Sequence, residues 1–284
     1  MAQNLQLLKR RIKTSQNIAQ ISKAMEMISA SKIKKAQTQA SNSKPYTERI
    51  NNMVDRVVRN ADTEKFSHPY INGNDSESTL VIAFSPDRGL CGSLNTNIYK
   101  KLHELENEKV KIVTIGKKIS HYSARLNFEL LASYHMGNTL PDYSLVFQLK
   151  KIIDEGLENK AFSKVNLLYA DFVSLFTQQP IIKTLLPFSM STLGELPDDD
   201  NNDSLFEPGQ EKLLTELLPY YLEVQLYNAL LQAYTSEQAA RMMAMQNAKK
   251  NAFDIADYLT LVYNKSRQER ITNEILDLAN SKQI

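Results

Sequence analysis

The sequence predicts a central α/β domain with a mostly parallel sheet, set between long N- and C-terminal helices that form an antiparallel coiled coil. Three observations carry this. All eight glycines lie between Gly73 and Gly209, so the first 72 residues and the last 75 hold none. Glycine costs about 1 kcal/mol in a helix interior, and its absence from both flanks marks them as helical. From Tyr220 to Ile284 there is no proline either. The middle alternates short β-rich runs with helical stretches, the pattern of a parallel sheet covered by helices.

The N-terminal flank repeats apolar residues at three and four: Leu5, Leu8, Ile12, then Ile18, Ile21, Met25, Ile28, then Ile33, Ala36 and Ala40. A narrow apolar stripe of this kind seats against one partner helix. Pro45 removes an amide donor and disfavours helix at Lys44, so a bend near 45 is expected. The pattern then resumes through Ile50, Met53, Val54, Val57 and Val58. In the C-terminal flank Val224, Tyr227, Leu231 and Tyr234, then Ala252, Ile255, Leu259 and Val262, follow the same spacing, and Ile271, Ile275 and Leu278 continue it after a change of phase. Residues 220–284 as one helix would run about 98 Å, whereas a compact globule of this length has a radius of gyration near about 19 Å. Such a helix must project, and the two flanks are each other's obvious partner.

Between them, 79–85, 110–115 and 164–170 read as strands, and 94–107, 117–126 and 143–159 as helices. Residues 173–186 read as a further strand or strand pair, at an edge because of Pro180. Leu196–Asp203 is an acidic, turn-rich loop, and Pro208-Gly209 returns the chain to helix. The resulting organisation is 1–60, N-terminal helix; 75–208, central domain; 209–284, C-terminal helix.

Charge is nearly balanced in total but not along the chain. Residues 1–59 carry twelve basic and three acidic side chains, and 60–208 carry fourteen against twenty. A basic block faces an acidic partner, a phosphate backbone, an anionic membrane or simply water. Its stripe has no aromatic residue to stack on bases and no nucleic-acid-binding motif around it, which argues against nucleic acid. The methionines Met242, Met243 and Met245, with Met25 and Met27 opposite, combine core packing with a soft surface suited to sliding past several partners. The lone Cys91 excludes an internal disulfide framework. No apolar run nears the roughly 20 residues that span a bilayer. The N-terminus lacks a secretory signal pattern, which points to an internal, reducing compartment.

The loop Ser85-Pro-Asp-Arg-Gly-Leu-Cys-Gly-Ser-Leu-Asn95 sits where an α/β fold places a phosphate turn. It matches neither phosphate-loop spacing, and Gly116-Lys117-Lys118 lacks the upstream glycine and the hydroxyl, so a structural turn is the better reading. His68, His103, His121 and His135 have no metal-ligand spacing. No catalytic constellation, cofactor site or metal site emerges.

Several strings together carry a family resemblance. Arg11-Ile-Lys-Thr-Ser-Gln-Asn17, Ile21-Ser-Lys-Ala-Met-Glu-Met27 and Ala30-Ser-Lys32 resemble the N-terminal helix of the γ subunits of F-type ATP synthases. Asp87-Arg-Gly-Leu-Cys-Gly92 is similar to that family's central loop. Ser236-Glu-Gln-Ala-Ala-Arg-Met-Met-Ala-Met245, Leu261–Gln268, Ile271-Thr272 and Glu274 resemble its C-terminal helix. The resemblance implies a Rossmann-like central domain and a non-catalytic rotor shaft. The shaft couples proton-driven rotation of a membrane ring to the catalytic sites of other chains. It implies α and β subunits of a ring, an ε subunit and a c ring as partners, at the cytoplasmic face of a bacterial inner membrane. It also implies partner contacts at Lys23 and Met25 on the first helix and at Arg241, Arg267, Gln268 and Thr272 on the last. Ile18-Ala19-Gln20 departs from a more polar, basic run in the family, and Ile28-Ser29 stands where Val-Ala is common. With one cysteine, no dithiol switch is expected. The alternative is a coiled-coil scaffold or tether with an α/β domain.

Overall fold

The computed structural model describes residues 2–60, 68–106, 108–126, 128–188 and 209–281. Along the chain these form α1 (Ala2–Asn60), α2 (Pro69–Asn72), β1 (Thr79–Phe84), α3 (Leu94–His103), β2 (Val110–Ile115) and α4 (Lys117–Ser123). They continue with β3 (Glu129–Tyr134), α5 (Ser144–Glu158), β4 (Lys164–Phe172), β5 (Gln178–Leu186) and α6 (Gln210–Ser281). They divide into two compact units: Ser31–Ala240, and Met1–Ala30 together with Arg241–Ile284. The acidic loop expected at Leu196–Asp203 lies outside the described residues.

The larger unit is built on a five-stranded sheet of order β3-β2-β1-β4-β5. The first four strands are parallel and β5 runs antiparallel to β4 at one edge. Its Pro180 lies opposite Ala170 on that edge, where a missing amide leaves no ladder bond unmade across a further strand. The central strand β1, Thr-Leu-Val-Ile-Ala-Phe, is buried at every position because helices cover both faces. Its side chains divide by strand alternation. Leu80, Ile82 and Phe84 join a core with Val146, Leu149 and Ile153 of α5 and Leu222, Leu226 and Leu230 of α6. Val81 and Ala83 join a second core with Leu94, Ile98 and Leu102 of α3 and Ile119 of α4. Gly156 lets α5 approach the loop after it, since a Cβ there would meet the Phe162 ring at 2.2 Å.

Sequence periodicity missed β3. It is an edge strand exposed along much of its length, so it lacks a buried alternating face. The unit around the sheet also takes in residues 31–60 and 210–240, because Ile50, Val54 and Val57 and the apolar face of α6 belong to its core. α1 runs through Pro45 as one helix. The carbonyl of Ser41, which loses its helical donor there, belongs to an exposed residue that water can reach.

The described residues of the smaller unit form two helical segments. They run antiparallel: Leu5 lines a groove with Lys265–Asn273, and Glu26 meets Lys249. A residue buried on one segment is therefore buried chiefly by the other. On α1 these are Leu8, Ala19, Ser22 and Ser29, and on α6 Met245, Ala252 and Ala256. The expected stripe is corrected in its middle. Ile18, Ile21, Met25 and Ile28 face outward, and so do Ile255, Ile271 and Ile275 on α6. The side chain of Leu278 lies outside the described set. The seam keeps a strict alternation of four and three from Leu8 through positions 12, 15, 19, 22, 26 and 29. That phase lies one residue off the large apolar side chains of the middle and passes through the small residues Ser15, Ala19, Ser22 and Ser29.

Candidate functional site

The loop after β1 is the first candidate, and its acidic and hydroxyl side chains Asp87 and Ser85 are engaged within the protein, while Asn95 Oδ1 is buried without a hydrogen-bond partner. Asp87 accepts from the backbone N–H of Lys117 at 2.9 Å and of Gly137 at 2.8 Å. Ser85 Oγ accepts from Ile119 N–H at 2.9 Å. The amides at the start of α4, which an anion would otherwise use, are thus capped by the chain's own oxygens. Cys91 is buried, with Asn95 Nδ2 donating to its sulfur at 3.3 Å. Gly116 is required at the crossing, because at φ 109° a Cβ would lie 1.9 Å from the Ser85 carbonyl oxygen. Among the described residues no group of three or more His, Cys, Asp or Glu is placed to hold a metal. This loop is a structural joint between β1, α4 and the segment after β3.

The second candidate is the surface of the smaller unit. Ile18, Ile21, Met25 and Ile28 form a row at spacings of three, four and three, each between 40% and 61% exposed. On the paired segment Phe253, Tyr258 and Leu261 are 46%, 66% and 71% exposed. Apolar rows of this extent on a soluble surface mark a place where something else packs. Cations flank them. The first 47 residues hold nine Lys and Arg against a single carboxylate, Glu26, which Lys249 Nζ engages at 2.6 Å. The surface is therefore apolar and basic together, suited to a partner with apolar side chains and carboxylates.

The residues named from the resemblance fall at different stations. Lys23 and Met25 are exposed on α1, in the outward phase. Gln268 and Thr272 line a groove of about 610 Å³ with Leu5, Lys265, Ser266 and Asn273. The Thr272 hydroxyl donates to the Gln268 carbonyl at 3.0 Å within the helix, and Glu269 and Arg270 add charge of both signs to the same groove. Arg267 is exposed beside that groove and is not part of its wall. By the antiparallel pairing Lys23 stands level with residue 252, so it lies about 22 Å along the axis from Arg267. Arg241 is half-buried at the end of a run, Thr235–Ala240, in which all six residues are buried. Sequence reasoning did not single out Ile18, Ile21 and Ile28 as an outward row. The signal available for it was the heptad phase passing through Ala19, Ser22 and Ser29.

The whole chain can then be set against known proteins. The family profile described as ATP synthase matches residues 4–282. The chain is 36% identical over 278 residues to the ATP synthase gamma chain of Dehalococcoides mccartyi, covering 97% of this chain and 96% of that one. It is 36% identical over 283 residues to the ATP synthase gamma chain of Roseiflexus sp., covering 96% and 95%. Among solved structures it resembles a chain of the central stalk and c-ring of the Tetrahymena thermophila mitochondrial ATP synthase. That match has 26% identity and a TM-score of 0.62, over 80% of this chain and 99% of the other. A chain of the Euglena gracilis mitochondrial ATP synthase shares the fold at 18% identity, with a TM-score of 0.68 over 100% and 95% of the two chains.

Proposed function

Because the chain belongs to the ATP synthase gamma chain family, we propose that its paired helices work as a rotor shaft inside a ring of α and β subunits. It is a component of an ATP synthase, and its fold is that of the central stalk. In this reading the chain carries no catalytic site of its own. It biases the affinities of sites on other chains as it turns, and a ligand-like bias of that kind works only through differential contact with each state. The further partners are an ε subunit and a c ring, with the complex held at the cytoplasmic face of a bacterial inner membrane. No helix among the described residues is long and apolar enough to cross a membrane, so attachment would come through those partners.

The observation that best supports a shaft is the outward row Ile18, Ile21, Met25 and Ile28 beside a basic face. A helix pair that only tethered two things would need its seam and nothing more. The surface contacts are assigned to Lys23, Met25, Arg267, Gln268 and Thr272, with Arg241 in polar contacts at the base of the pair. The match along nearly the full length, sheet included, disfavours the scaffold alternative.

The test substitutes Arg267→Ala together with Gln268→Ala in the intact complex. Assembly should be retained and ATP synthesis should slow. Wild-type synthesis in correctly assembled complexes would make the two residues ordinary solvated positions. Absence of α and β chains from a tagged pull-down of the wild-type protein would remove the shaft reading altogether.

A further inference from the structure

The sheet unit buries two carboxylates of α6, Glu223 and Glu237, and the first is held by a neighbouring helix in a way that apolar packing does not need. Glu223 of α6 has a side chain only 8% exposed. Its Oε1 lies 3.2 Å from Lys150 Nζ, and its Oε2 accepts from the Tyr143 hydroxyl at 3.2 Å. Tyr143 immediately precedes α5 and Lys150 lies two turns further along it, so one carboxylate is held from two points about 10 Å apart on the helix axis. α5 is itself fixed to the sheet through Val146, Leu149 and Ile153, none of which is exposed.

The contact continues outward. The Tyr143 ring lies 5.4 Å from that of Tyr227, one turn beyond Glu223 on α6. The Tyr227 hydroxyl accepts from Gln39 Nε2 of α1 at 3.4 Å. The route therefore links a helix anchored on the sheet to both long helices. Burial, with the Glu223 carboxylate next, holds the Tyr143 hydroxyl protonated and able to donate.

We infer that Glu223, Lys150 and Tyr143 form the joint through which torque passes between the sheet and the long helices. This rests on the rotor reading above. Apolar packing is non-directional: it resists separation of two helices but only weakly opposes one sliding or turning against the other. A charge-assisted bridge at fixed geometry resists those motions, and its rupture strands a desolvated carboxylate. A static domain would be served as well by apolar residues here; a domain loaded in shear would not.

The test uses the assembled ATP synthase in membrane vesicles and, in parallel, its detached catalytic sector. In the detached sector nothing opposes the shaft, and ATP hydrolysis by Glu223→Gln and Tyr143→Phe should stay near wild type. In vesicles, where the shaft turns the ring against a proton gradient, protons pumped per ATP hydrolysed should fall below the wild-type ratio, because each turn in which the joint yields hydrolyses ATP without moving the ring. Exchanging the charges, Glu223→Lys with Lys150→Glu, should recover much of the loss. If Glu223→Gln does not assemble, Tyr143→Phe decides, since it removes one oxygen without changing the ring. An unchanged pumping ratio, or hydrolysis and pumping declining in parallel, would falsify the joint. Vesicles that pump normally without this chain would instead remove the rotor reading on which it rests.

Discussion

Glu26 and Lys249, 223 positions apart in the chain, meet at 2.6 Å across the seam of the smaller unit, with side chains 21% and 27% exposed. The pair fixes both the direction and the register of the two helices. A shift of one residue would carry the ammonium away from the only carboxylate in the first 47 positions.

Reversing one member should unseat this register. Glu26→Lys places two ammonium groups together on a partly desolvated seam and should destabilise the helix pair by about 1–3 kcal/mol. Adding Lys249→Glu should return most of that. Thermal unfolding of the full chain, followed by helix signal, checks both variants; a double variant no better than the single would show that the contact does not set the register.

The two stripes of α1 should respond oppositely to mutation. Ala19 has no exposed surface, and Ala19→Leu overpacks the seam at a cost of about 1–3 kcal/mol. Ile18 is 48% exposed, and Ile18→Ala should change the stability of the chain alone by less than about 0.5 kcal/mol while weakening its uptake by α and β subunits. Denaturant titration and an assembly titration separate the two effects. Equal stability losses at both positions would mean that the seam has been placed in the wrong phase.

Gly116 and Gly137 both have positive φ, 109° and 78°, but only the first is crowded. Gly116→Ala drives a Cβ to 1.9 Å from the Ser85 carbonyl and should cost more than about 3 kcal/mol. Gly137→Ala meets nothing within 4 Å and should cost about 1–2 kcal/mol from its backbone conformation alone. The comparison is read from midpoints of urea unfolding at constant slope. A tolerated Gly116→Ala would show that the loop can relax away from α4.

The fold should be sensitive to alkali. Burial, followed by the Asp171 carboxylate, pushes Tyr169 up to about 12. Tyr70 is raised by burial and then by its hydrogen bond to Asp154, and Tyr143 by burial and then by Glu223. A raised tyrosine binds its proton more tightly in the fold, so its contribution is complete below about pH 10 and is lost as pH rises through the shifted value. Melting temperature should therefore fall above about pH 10, and Tyr169→Phe should flatten that fall between about pH 10 and 12. Superimposable profiles for the variant and the wild type would exclude Tyr169 as a source.

The sequence marked the loop after β1 as a structural turn, but not what that turn holds together. Asp87 and Ser85 come to cap α4 because β1 and β2 are adjacent and parallel, which brings residues 30 and 34 positions apart within hydrogen-bond reach. Nothing local to Asp87 marks it as an acceptor for Lys117 and Gly137. Glu223 is similar. In sequence it is one acidic residue in a long helix, and only the packing of α5 on α6 makes it a buried bridge.

By itself the sequence determined the two long helices, the parallel strands β1, β2 and β4 and the edge position of β5. Those follow from glycine and proline placement and from local periodicity, which act within a few residues. It also carried the family strings, which lie in helices and turns whose side chains are read one by one. The tertiary structure alone decided which stripe of α1 is seam and which is surface. Hydrophobicity points to Ile18, Ile21 and Ile28, yet Ala19 and Ser22 take the seam, because the heptad phase that seats Leu8 passes through them and not through the isoleucines. β3, the capping of α4 and the Glu223 bridge were likewise settled by pairing between distant segments, whose energy no local window contains.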